Sequence, residues 1–136
     1  MNCLESIFCE HEGVVLHGKV GVPDEAGPHP AVMIVHSAFG VGSHVQQIAL
    51  RLVERGYIAL AVDMYGGAAY TENPREIAEL VRPLWGNAGC LRSRMNAWHQ
   101  TLKARRDVSV NRIAAIGYCF GGQCVLEFAR GGGRSE

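Results

Sequence analysis

A chain of 136 residues has the length of a single domain, and with 48% of its residues apolar it can bury one core of ordinary size. Thirteen basic and thirteen acidic residues cancel to a formal net charge of zero, and neither sign is gathered into a run. That excludes the electrostatic footprint of a nucleic-acid or anionic-membrane binder and leaves small molecules or protein as partners.

The N-terminal stretch "MNCLESIFCEHEG" carries acids early and lacks a basic flank leading into an apolar run, so it reads as neither an export signal nor a membrane span. "GVVLHGKVGV", 13–22, alternates enough to be an edge strand or one arm of a hairpin, and "PDEAGPHP" after it is a turn-rich connection. "AVMIV", 31–35, is a continuous apolar run of the kind buried on both faces of a parallel sheet. The period then changes. Val45, Ile48, Ala49, Leu52 and Val53 recur at three and four, Ser43 and Gln46 have capping-box spacing, and Gly56 marks a stop, which predicts a helix. "YIALAV", 57–62, returns to strand character and ends at Asp63, and the right-handed crossover makes these two strands parallel.

Asn73 and Pro74 are a cap and a first-turn residue for a second helix, with Glu76 at the third helical position and Ile77, Leu80, Val81 and Leu84 on one face. A third helix is predicted over 91–106, where Leu91, Met95, Trp98 and Leu102 form a core stripe. "RIAAIG", 112–117, is the next buried strand, and "FGGQCVLEFAR", 120–130, reads as a helix that begins with small residues. Strands alternating with helices predict an α/β fold on a mostly parallel sheet, with helices on both faces.

The five cysteines (Cys3, Cys9, Cys90, Cys119, Cys124) are an odd set without a C-x-x-C pair, which suits neither a disulfide framework nor a zinc site. A reducing, cytoplasmic environment is expected. Cys119 alone has a context that asks for chemistry. A strand turning sharply into a helix strains the residue at the bend, and this is tolerable only when the residues two before and two after are small. In "GYCFGG" those positions are Gly117 and Gly121, with Gly122 following. The bend lifts the side chain above the sheet, beside the free N–H groups of the helix start, where a thiolate nucleophile is favoured. Phe120 would offer one backbone N–H to an oxyanion. The second donor in such an architecture comes from the loop after an earlier central strand, here "HSAFG", and Ala38 is the expected position. Each donor is worth about 3 kcal/mol in the transition state. Ser37 and His36, in the same loop, are candidate substrate contacts. Cys124, mid-helix, reads as a small buried hydrophobe.

The segments "VHSAFGVGSHVQQIALRLVERGYIALAVDMYGG" and "IAAIGYCFGGQCVLEFAR" together resemble the dienelactone hydrolase family of α/β-hydrolases from about residue 13 to 130. The G-x-C-x-G-G elbow, with cysteine where serine is usual in the fold, is the specific part. "DMYG" at 63–66 and "AFG" at 38–40 strengthen it. The resemblance implies hydrolysis of a small-molecule lactone or ester through a thioester on Cys119, with Ala38 and Phe120 as oxyanion donors and with no cofactor and no metal.

Two departures from the family pattern stand out. The position of Ser37 is a glutamate in dienelactone hydrolases proper. The family's triad runs nucleophile, acid, histidine, yet all six histidines here precede Cys119. The chain is therefore expected to be a C-terminally truncated, single partial domain, with 131–136 a non-native or disordered tail. The "RIAAIG" strand would then show an uncovered edge open to self-association. His36 and His44 are the histidines nearest the site in sequence, and for either a structural or solvated role is the default over that of base. Two rival readings remain. One is a non-catalytic fragment or interaction module. The other is a dinucleotide-binding, Rossmann-like module built on Gly40-x-Gly42-x-x-Val45, with Asp63 as the ribose-binding acid.

Overall fold

A computed structural model describes residues 3–131. Strands β1 (Glu5–His11) and β2 (Val14–Gly21) pair antiparallel. Their two-residue loop, Glu12 and Gly13, has positive φ at both positions (48° and 84°), the hand that matches the twist of a hairpin. Strands β3 (His29–Val35), β4 (Ile58–Val62) and β5 (Val108–Gly117) run parallel, and the sheet order is β1-β2-β4-β3-β5. β2 meets β4 antiparallel, so a hairpin extends a parallel core.

The alternation of β3 explains the layers. Ala31, Met33 and Val35 face a core shared with Leu60 and Val62 and with helix α3 (Ala88–Lys103), through Leu91, Met95, Trp98 and Leu102. Helix α4 (Phe120–Arg130) adds Cys124 to the same core. Val32 and Ile34 face the opposite side, where helix α1 (Ser43–Glu54) brings Val45, Ala49 and Val53 onto Ala59 and Ala61. Helices therefore cover both faces, as in an α/β-hydrolase sheet. No helix among the described residues is long and apolar enough to cross a membrane.

The structure departs from the sequence reading at several element ends. Ser43 and Gln46 do not form a capping box. Gly42 is the N-cap of α1 and, having no side chain, makes no side-chain cap bond; a Cβ there would come within 2.3 Å of a Tyr70 ring carbon. Helix α2 (Pro74–Val81) starts as read, its Asn73 side chain accepting from the N–H groups of Arg75 (2.9 Å) and Glu76 (3.2 Å), but it ends before Leu84, which is buried from the following turn. Helix α3 begins three residues earlier than the stripe indicates, since Asn87 Oδ1 caps the N–H of Cys90 at 3.1 Å. β1 was not itself read from the sequence; it is the second arm that the hairpin reading of 13–22 requires, and β2 lies between β1 and β4 rather than at the sheet edge. Of the tail, Gly131 closes α4 by donating to Glu127 O, and 132–136 lie outside the described residues.

β5 pairs with β3 on one side and with no other described strand. Its Val110, Ile116 and the adjoining Tyr118 are exposed, so the edge expected to be bare is bare among the described residues.

Candidate functional site

The bend between β5 and α4 places Cys119 at φ 54° and ψ −111°, a backbone state that a side-chain-bearing residue adopts only under constraint. The constraint is visible on both sides. A Cβ on Gly117 would lie 2.2 Å from Gly121 O, and a Cβ on Gly121 would lie 2.3 Å from Val35 O and 2.6 Å from His36 O. Both glycines are therefore required by close backbone approach. Gly122 is different, because a Cβ there would meet only Gly117 O, at 3.8 Å. A Cβ at Gly122 is thus not excluded by close backbone approach, unlike one at Gly117 or Gly121.

Cys119 is exposed at the head of α4, while Cys124 is buried and its thiol is pushed up to about 12 by desolvation. The two thiols thus divide as their positions suggested, one presented to solvent and one packed in the core. Among the described residues, neither the Phe120 nor the Ala38 N–H donates in any turn, loop or cap bond. The first turn of α4 lies directly against the carbonyls of Val35 and His36, so the loop after β3 and the elbow are in contact.

Ser37 Oγ accepts from Phe39 N–H at 3.3 Å, a local turn bond. His36 is fully buried, with Met64 N–H donating to its Nε2 at 3.0 Å and its Nδ1 2.7 Å from Ser37 O. The expectation that His36 touches substrate is overturned by that burial, and so is any role as base, because both ring nitrogens are bound to backbone. Burial also holds its pKa below the usual histidine range. His44 is exposed at the start of α1, its ring 5.4 Å edge-on from that of Tyr118.

The residues of the dinucleotide reading are otherwise occupied. A Cβ on Gly40 would lie 2.0 Å from Ala69 O, so the glycines of this loop make room for the 69–70 segment rather than for a pyrophosphate. Asp63 is fully buried and accepts from the N–H groups of His17, Tyr65, Gly66 and Ala68 at 2.8–3.0 Å, which leaves nothing for a ribose.

Two features were not readable from sequence. Tyr65 donates its hydroxyl to Ala38 O at 2.8 Å and stacks on Phe120 with ring centroids 5.6 Å apart, and His36, 4.8 Å from Tyr65, also stacks on Phe120 at 5.9 Å, so the three rings form one cluster. An open cleft of about 340 Å³ lies beside Phe120, lined among others by Leu84, Trp85, Leu91, Gln123 and Glu127.

A family model for the dienelactone hydrolase family matches residues 16–135. The chain belongs to the dienelactone hydrolase family. A Yersinia pestis protein that bears the name carboxymethylenebutenolidase is 30% identical over 120 residues, which is 87% of this chain and 45% of that protein. A solved dienelactone hydrolase-like promiscuous phosphotriesterase from metagenomic libraries is 30% identical at a TM-score of 0.91, covering 96% of this chain and 55% of the other. A dienelactone hydrolase from Klebsiella pneumoniae, at 23% identity and a TM-score of 0.76, shares the fold. This member of the family thus spans about half the length of the relatives it matches.

Proposed function

We propose that this chain carries the nucleophile and the oxyanion donors of a carboxylic ester or lactone hydrolase and acts as one unit, a partial domain of the family type. The Cys119 thiolate attacks the substrate carbonyl carbon. The carbonyl electron pair moves to oxygen and is held there by the Ala38 and Phe120 N–H groups. Collapse breaks the carbon–oxygen bond, the released alkoxide takes a proton from solvent, and the acyl group remains on sulfur as a thioester. Water then attacks the thioester, the carbon–sulfur bond breaks to release the Cys119 thiolate, one water proton goes to solvent in place of the one the alkoxide took, and a carboxylic acid leaves. The sum is ester plus water giving acid plus alcohol, with no redox partner required. The base is assigned to none of the six histidines.

The observation that carries this reading is the strained, exposed position of Cys119 at the start of α4. The cleft beside Phe120, with the exposed Trp85 on its wall, supports a small substrate with an apolar or aromatic group. Intact mass after treatment with p-nitrophenyl acetate tests it. The wild-type chain is expected to gain one acetyl group on Cys119 and to release p-nitrophenol above the buffer rate. Cys119→Ala is expected to fall to the buffer rate. Equal release by the two proteins would sink the hydrolytic reading.

A second reading rests on the open edge of β5, which supports self-association of the chain through that strand.

A further inference from the structure

We propose that His36 is a positioning residue, which fixes the peptide unit joining Ser37 to Ala38 so that the Ala38 N–H stays turned outward as an oxyanion donor. The proposal rests on the hydrolytic reading above. It starts from an assignment of the buried ring. Met64 N–H can only donate, so the Nε2 it meets at 3.0 Å accepts, and the proton of this neutral imidazole lies on Nδ1. Nδ1–H therefore donates to Ser37 O at 2.7 Å. Gly40 N–H donates to the same oxygen at 3.1 Å.

The consequence follows from the planarity of the peptide bond. In a trans peptide the N–H points opposite to the C=O, so pinning Ser37 C=O inward on a fully buried ring turns Ala38 N–H away from the core. If Ser37 O lost the imidazole, only the Gly40 N–H would hold this peptide, which could then rotate and bury its donor. The next peptide is held too, by the Tyr65 hydroxyl on Ala38 O at 2.8 Å. The rings of His36 and Tyr65 both stack on Phe120, whose own N–H is the other donor, so the two halves of the oxyanion pocket share one aromatic support.

The test compares two reactions of the same sulfur in the intact chain. Acylation of Cys119 by p-nitrophenyl acetate passes through an oxyanion, whereas alkylation by iodoacetamide displaces iodide and does not use the pocket. Their rate ratio, read by peptide mass, isolates the pocket from thiol exposure and from general loosening. His36→Gln keeps a group near Nε2 and removes the Nδ1 donor, and the ratio is expected to fall about tenfold or more. His36→Asn keeps a donor near Nδ1 and is expected to stay within about threefold of wild type. A wild-type ratio in His36→Gln would overturn the proposal. Should either variant fail to fold, the tautomer in wild-type protein decides. Two-bond proton–nitrogen NMR is expected to show the proton on Nδ1, and a proton on Nε2 would overturn the proposal, since Ser37 O would have no imidazole donor. The parent reading fails separately, if the wild-type ratio in the folded chain equals that in guanidinium.

Discussion

At Gly117 a side chain would collide with the backbone of the following helix, 2.2 Å from Gly121 O, whereas at Gly122 the nearest atom lies 3.8 Å away. The two glycines sit five residues apart in one motif, yet they should answer differently to the same added methyl group. Gly117→Ala forces β5 and α4 apart and is expected to cost about 3 kcal/mol or more, with loss of Cys119 acylation. Gly122→Ala lies in a helix, where alanine is preferred over glycine by about 1 kcal/mol, and should stabilise slightly while leaving acylation intact. Urea unfolding midpoints and the acetylation assay check both; a Gly122→Ala protein as damaged as Gly117→Ala would contradict the elbow geometry. The sequence shows three small residues around Cys119, and spacing alone picks out Gly117 and Gly121. It cannot show that Gly122 has room, because that depends on where a carbonyl five residues earlier ends up. His36 is a similar case: the apolar run before it hints at burial, but its partner Met64 N–H comes from 28 residues along the chain.

Between elements, two buried histidines set a pH dependence. His36 lies beneath the β3 loop, and His99 on α3 packs edge-on against Phe128 on α4. Burial lowers the pKa of both, aided at His99 by the nearby Lys103. In each case the folded pKa is below the unfolded value near 6.5, so below that pH the unfolded chain binds protons that the folded chain refuses. Stability is then unaffected above about pH 7 and falls as the pH drops through about 6.5, by up to about 1.4 kcal/mol per pH unit for each histidine. His99 Nδ1 is buried with no hydrogen-bond partner among the described residues, so this ring can be replaced without breaking a described bond. His99→Leu is expected to make the acid slope between about pH 6.5 and 5 shallower. Urea titrations at several pH values measure it, and an unchanged slope would place the proton linkage elsewhere. At this scale α2 and the stripe of α3 were legible because their signals are local, a cap at Asn73 and a periodic apolar face. The start of α1 was misread because Gly42 answers to Tyr70, a contact 28 residues away in sequence. β1 escaped notice because Phe8, exposed on the outer face beside His17, breaks the alternation that Ile7, Cys9 and His11 otherwise keep. The available signal was Gly13, a residue type suited to the positive φ that the two-residue loop demands.

For the molecule as a whole, the parallel three-strand centre was readable from unbroken apolar runs, whereas the order in which the hairpin joins it, through β4 rather than β3, was not. That order leaves β5 at the border of the described sheet. The strand is ten residues long and offers Val110 and Ile116 at 48% and 37% exposure, and a long apolar edge of this kind pairs readily with another chain. Closed two-fold symmetry would set β5 antiparallel to β5 of a second copy, joining two sheets into one. Sedimentation velocity over micromolar concentrations is therefore expected to show a dimer or larger species. Val110→Lys puts a solvated charge on the edge without touching the elbow, and should shift the distribution toward monomer while Cys119 acylation persists. A monomer across the whole range for wild type would remove the edge as an interface. Association that survives Val110→Lys would move it to another surface.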